Sequence, residues 1–178
     1  MGDDGFGAVN SFRKRMGDYI FHVLDSFLAS ELVPAFARRR LLKIISIRLL
    51  PTSTIWAGCS FRSNKIEIGA NVFINVGFFF DGYYQCTIGD NVRIGQFVRI
   101  LTATHDIGSS FQRGRSEVVG GPVHIENGCW IAAGVTILPG VTIGPGCVIA
   151  ANSMVAESTT ANGLYAGTPA RRMKDLPP

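Results

Sequence analysis

Through the last third of the chain an aliphatic residue returns at every sixth position: Ile125, Ile131, Ile137, Ile143, Ile149 and Val155. The same phase recurs earlier as Ile88, Ile94 and Ile100, and before that as Ile68 and Ile74. Four residues after each stands a small or β-branched residue: Val72, Val92, Val98, Thr104, Cys129, Val135, Val141, Cys147 and Ser153, with Phe78 the exception in size. Glycine often follows the aliphatic, as in Ile68-Gly69 and Ile143-Gly144. A helix needs apolar residues three and four apart. A six-residue unit holds instead one short strand and one corner. Three units close a triangular coil, and stacked coils share a narrow core that no coil buries alone. The pattern predicts a mainly β protein, a parallel β-solenoid.

The register breaks twice. Between Ile74 and Ile88 the spacing is no multiple of six, and the aromatic run Phe78–Phe80 with Tyr83 and Tyr84 lies there. The larger break, residues 101–123, is rich in glycine and serine and reads as a mobile loop ejected from the solenoid, where function concentrates on repeat scaffolds. Ahead of the repeat, Phe12, Met16, Tyr19, Ile20, Val23, Leu24, Phe27 and Leu28 recur at helical spacing until Pro34, and a second helix is expected over residues 35–50. The chain thus divides into a helical segment packed on the domain (1–50), the solenoid (51–170) carrying the loop 101–123, and a basic tail (171–178).

Composition narrows the classes. Of 178 residues, 47% are hydrophobic and 17% charged, too apolar and too weakly charged for disorder. No stretch approaches the roughly 18 to 20 apolar residues of a membrane-spanning helix. The start, Met1-Gly2-Asp3-Asp4, lacks the basic region of a secretory signal, so a cytoplasmic protein is expected. Cys59, Cys86, Cys129 and Cys147 form no C-x-x-C pair; three fall on small inward positions and Cys86 joins them if the register is run back from Ile88. The net charge of +4 gathers in Arg38, Arg39, Arg40, Lys43 and Arg48, and again in Arg171, Arg172 and Lys174. Neither cluster sits in a nucleic-acid motif. The basic helix suits a membrane surface, or packing with its arginines solvated.

Three histidines exist. His22 belongs to the helical segment, and His124, just before Ile125, reads as a surface or packing residue. His105 stands where the repeat gives way to the loop, a position suited to a general base.

The stretches Ile88-Gly89-Asp90-Asn91-Val92, Thr104-His105, Trp130-Ile131-Ala132-Ala133 and Ala166-Gly167-Thr168-Pro169-Ala170-Arg171 resemble the hexapeptide-repeat acyltransferases from about Ile55 to Lys174. Within that family they resemble the galactoside, maltose and polysaccharide-biosynthesis O-acetyltransferases. The resemblance implies a left-handed parallel β-helix, a homotrimer with sites between subunits, acetyl-CoA as co-substrate, no metal and no nucleic acid, and a small-molecule or glycan acceptor. It implies that His105 is the base, that Asn75 holds the acceptor hydroxyl, and that the Ala133 N–H of a neighbouring subunit receives the oxyanion. Trp130 matches the family tryptophan beside the pantetheine, and Ala132, Ala133, Ala150 and Ala151 supply small residues at matching positions of successive turns. Arg171, Arg172 and Lys174 lie at the end where the CoA phosphates need cations, Arg171 and Lys174 on family basic positions. Asp81, Tyr83 and Asp106 fall at the acceptor side; Asp106 either orients His105 or caps its turn. One departure is Ala156-Glu157, where the family carries a Thr-Lys pair near the nucleotide. The implied activity is acetyl transfer to a sugar hydroxyl. The alternatives are an N-acetyltransferase on a nucleotide-linked amino sugar and, more remotely, a non-enzymatic scaffold. A zinc carbonic anhydrase would need His22 as its third ligand.

Overall fold

Each hexapeptide folds as a short strand and a corner, and the strands stack into three flat faces. The computed structural model describes residues 4–178, with side chains from Met16 onward. The acidic start over Met1–Asp3 and the side chain of Phe12 lie outside the described residues. The first face stacks Arg48–Leu49, Ile66–Ile68, Cys86–Ile88, Val123–Ile125 and Thr142–Ile143. The second stacks Thr54–Ile55, Phe73–Ile74, Arg93–Ile94, Trp130–Ile131, Val148–Ile149 and Gly163–Gly167. The third stacks Ser60–Phe61, Phe79–Phe80, Arg99–Ile100, Thr136–Ile137 and Met154–Val155. Neighbouring rungs pair in parallel, in the left-handed β-helix of about six turns that the repeat and its resemblance imply.

Both channels of the repeat point inward. Ile74, Ile94, Ile131 and Ile149 are buried in one column, and Val72, Val92, Cys129 and Cys147 in the next. Where the spacing slips, aromatics take over. Phe61 and Phe80 fill aliphatic positions, and Phe78 packs against Phe61 with ring centroids 5.6 Å apart. Phe78 fits because Cys59 and Val98, its neighbours in the column, are small. The extra residues of this coil are spent in a longer corner, Asp81 to Gln85. All four cysteines are buried free thiols. Thr104 departs from the expectation. It is exposed, because the chain has already left the coil, and Thr102 is the residue buried there.

Two helices precede the faces: α1 (Asp4–Ala29) and α2 (Ala35–Leu42). The helix expected to reach residue 50 stops at Leu42. From Ile45 the burial alternates, with Ile45, Ile47 and Leu49 inside and Ser46 and Arg48 outside. Ser46 has φ +62°, which no helix accommodates. Arg48–Leu49 is already the first rung of the first face, paired with Glu67 and Ile68.

The helices cap the open end of the solenoid through two buried charges. Asp25 accepts hydrogen bonds from the Phe61 N–H at 3.0 Å and the Ser60 hydroxyl at 2.9 Å. Arg38 donates to the carbonyls of Leu28, Ser30, Val33 and Ile55 at 2.5 to 3.3 Å. It thereby closes the turn between the helices onto the second face. The tail is also ordered: Ala170–Asp175 pairs antiparallel with Gly163–Gly167, so its basic residues ride on an edge strand.

Candidate functional site

The outward residues of the second face form columns down the prism. In one, Phe73 pairs with Arg93 and Arg93 with Trp130. In the next, at the corner leading to the third face, Asn75, Gly95, Ala132 and Ala150 follow one another by coil. A groove of about 480 Å³ runs between them, and Asn75, Trp130, Ala132, Ala133 and Ala151 all line it. Small side chains keep the channel open, while Trp130 is an exposed wall. Ala150 lies one coil on from Ala132, its N–H bonded to the Tyr165 carbonyl.

Ala132 N–H donates to Ile149 and Gly134 N–H to Gln96. The Ala133 amide between them, like the equivalent corner amides of Gln96 and Ala151 in the neighbouring coils, meets no acceptor among the described residues. Gly95 is required beside it, since a methyl there would stand 2.6 Å from the Ala133 nitrogen. Phe73, Arg93 and Gln96 also line the groove and escaped the sequence reading. Phe73 and Arg93 precede the aliphatic of their repeat, the phase of Trp130, so that phase was the available signal.

His105 sits elsewhere. The segment expected as a loose loop is a two-stranded antiparallel ribbon, Ala103–Ile107 with Gly114–Gly120. It leaves the prism at the corner between the third and first faces, a different edge from that of Ala133. Its root is pinned. The Asp81 carboxylate accepts the Thr102 N–H at 2.7 Å, the Thr102 hydroxyl and the Ala103 N–H at 3.1 Å. Gly120 faces the Thr102 carbonyl so closely that a Cβ would lie 2.0 Å from it. Asp81 therefore secures the ribbon that carries His105. Tyr83 is an exposed neighbour whose carbonyl accepts from Lys65.

His105 Nδ1 lies 3.2 Å from the Glu117 carbonyl across the ribbon. A carbonyl only accepts, so in the neutral ring Nδ1 carries the proton and Nε2 offers its lone pair to solvent. The orienting partner is thus a backbone oxygen and not the Asp106 carboxylate. Asp106 occupies the register shift between His105 and Ile107. The Glu117 carbonyl leaves no mark in a sequence.

The basic residues separate. Arg172 is committed to structure rather than left for a ligand: its guanidinium donates to Thr160, Tyr165, Ala161, Asn162 and Asp175. Arg171 and Lys174 are exposed on the edge strand, and Glu157 stands 3.3 Å from Arg171. The Ala156-Glu157 departure thus falls directly on one of the three expected phosphate contacts. A second groove, of about 500 Å³, crosses the first face. Its lining includes the Arg48–Glu67 ion pair and the Thr87–His124 hydrogen bond of 2.7 Å, and none of the expected site residues. No group of three or more His, Cys, Asp and Glu suited to a metal ion occurs among the described residues.

Comparison with known proteins meets this geometry at several points. Residues 122–157 match the family model described as bacterial transferase hexapeptide (six repeats). The chain is 36% identical over 117 residues to the galactoside O-acetyltransferase of Escherichia coli, covering 66% of this chain and 57% of that protein. It spans less than two thirds of the length of the curated relatives it matches. Among solved structures it resembles a hexapeptide-repeat-containing acetyltransferase of Vibrio cholerae complexed with acetyl-CoA. The TM-score is 0.76 and the identity 32%, over 90% of this chain and 89% of that one. It also resembles a galactoside acetyltransferase in complex with coenzyme A, with TM-score 0.74 and 29% identity over 90% of this chain and 83% of that one.

Proposed function

The chain belongs to the hexapeptide-repeat acetyltransferases, and from that premise we propose that it moves the acetyl group of acetyl-CoA to a sugar hydroxyl of a glycan or glycoconjugate, as a cytoplasmic homotrimer. The observation that carries the reading is the second-face groove, where Asn75, Trp130 and the alanines of successive coils line one channel ending at the uncommitted Ala133 N–H. Such a channel suits a pantetheine arm, with the thioester carbonyl at Ala133.

The chemistry is a direct transfer. Nε2 of neutral His105 takes the proton of the acceptor hydroxyl as that oxygen attacks the thioester carbon. The tetrahedral oxyanion accepts a hydrogen bond from the Ala133 N–H. The C–S bond then breaks, the ester forms, and the proton held by His105 passes to the departing thiolate. Asn75, in the same column as Gly95 and Ala132, orients the hydroxyl. Arg171 and Lys174 meet the phosphates.

The base and the groove lie at different corners of one prism. A three-fold assembly that sets the third faces together brings the ribbon of one chain beside the groove of the next. Ile107 and Phe111, exposed at the ribbon's far end, suit burial by that neighbour.

The test is product analysis by mass spectrometry after incubation with acetyl-CoA and a panel of sugars and amino sugars. An alkali-labile ester on a sugar is expected. An alkali-stable amide would assign the reaction to an amino group instead. His105→Ala should keep the fold and lose about 10²- to 10⁴-fold in turnover, the usual worth of a general base. Undiminished turnover in the folded variant would remove His105 from the mechanism.

A further inference from the structure

Capping the prism consumes only one side of the helices. On α1, Phe21, Asp25 and Leu28 turn toward the solenoid, while Ile20, Val23 and Phe27 form a stripe facing away. The turn after α1 exposes Leu32 at 89%, and α2 and its exit expose Phe36 at 74% and Ile44 at 72%. These are among the most exposed large apolar side chains described. They lie at the end of the prism where α1 meets Ser60–Phe61 and α2 meets Thr54–Ile55, away from the coils of Ala133 and Ala151.

Charge gathers in the same place. Of the described cations there, Arg39, Arg40 and Lys43 reach the surface, while Arg38 is buried in the cap and Arg48 pairs with Glu67. On α2 and its exit, Phe36, Arg40, Lys43 and Ile44 recur at helical spacing, so cations alternate with apolar groups on one surface. Arg39 lies beside them. Asp25 faces inward, which leaves Asp18 and Glu31 as the exposed acids of the described part of the cap.

We propose that the α1–α2 cap docks on an anionic lipid bilayer, with Leu32, Phe36 and Ile44 entering the headgroup boundary and Arg39, Arg40 and Lys43 meeting lipid phosphates. The interleaving decides the occupant. In a seam between two copies of this chain, burying the apolar groups would carry Arg40 and Lys43 into a dry contact among like charges. At a bilayer surface each group keeps a favourable partner, apolar tips in the acyl boundary and cations among phosphates. No helix among the described residues is long and apolar enough to cross a membrane, so the contact lies in the interface plane.

The full chain is sedimented with vesicles of phosphatidylcholine alone and of phosphatidylcholine with phosphatidylglycerol, at 0.1 and 1 M NaCl. Binding is expected to the second kind only, and to weaken several-fold at high salt as screening shortens. Leu32→Ser/Phe36→Ser/Ile44→Ser should lower partitioning about tenfold or more, since its losses are of fully exposed apolar groups. Arg39→Gln/Arg40→Gln/Lys43→Gln should abolish the preference for anionic vesicles. Melting temperature certifies the fold of each variant. Wild-type protein that binds neither vesicle, or an apolar variant that binds as well as wild type, overturns the proposal. An unbound wild type whose mass by light scattering falls in the apolar variant makes the face an interface between copies. The readout is binding, so it stands or falls independently of the acyl-transfer reading.

Discussion

Single residues separate the groups that do chemistry from those that hold shape. Burial pushes the thiols up, Cys59 to about 12 and Cys129 to about 11, with Cys86 shifted the same way. All four sit at core positions, where they act as small apolar groups. Arg171 is the residue whose worth its neighbour sets. Glu157 engages it at the surface, where an ion pair contributes only about 0 to 1 kcal/mol, so a phosphate can displace it at modest cost. Glu157→Gln should therefore tighten CoA binding by about two- to fivefold, within that range. Arg171→Ala/Lys174→Ala should weaken it, and far less for dephospho-CoA if these side chains meet the 3′-phosphate. Calorimetry with both ligands checks this, and equal losses for the two would assign the residues to another part of the nucleotide.

Among elements, the cap depends on two buried charges. Arg38 satisfies four carbonyls from three segments, a task that suits a planar five-donor fork and not an ammonium. Arg38→Ala should lower stability by about 3 kcal/mol or more, and Arg38→Lys should recover only part, because unmet buried carbonyls carry the loss. Asp25 adds a pH dependence. Desolvation outweighs its hydrogen bonds to Phe61 and Ser60 and the nearby Arg62 and His22, and raises its pKa. The folded state then holds this proton more tightly than the unfolded chain. The group's contribution is greatest below the ordinary carboxylate range and declines as pH rises through the raised value. Asp25→Asn should flatten that decline in denaturant titrations run across the acidic range. An unchanged slope would place the dependence on another group.

At the scale of the whole molecule, His105 and Ala133 lie at different corners of the prism, so the proposed mechanism requires that assembly complete the site. His105→Ala and Ala133→Trp should each yield a dead homotrimer, the first without a base and the second with a blocked groove. Co-refolded, they form some interfaces where an intact His105 meets an intact Ala133, and activity should return to a fraction set by random mixing. Mixed trimers seen by native mass spectrometry that stay inactive at every ratio would place the site within one chain.

The six-residue period by itself determined the solenoid, because an aliphatic and a small residue four apart can share a core only if the chain turns a corner in each unit. It also marked where the chain leaves the coil, and hence His105. Trp130 and the alanines came from motif resemblance, and the structure brings them with Asn75 to one groove. What the sequence left undecided depends on contacts between coils. The end of α2 was hidden because Ile44 and Ile45 look alike until the solenoid end buries one of them. Asp81 read as an acceptor contact, and only the fold puts Thr102 and Ala103 against it. Arg172 read as a phosphate ligand, until the last strand laid it over Tyr165 and the carbonyls of residues 160–162. The partner of His105 is a main-chain carbonyl twelve residues away, and main-chain atoms are the same at every position of a sequence. Only pairing across the ribbon could choose Glu117.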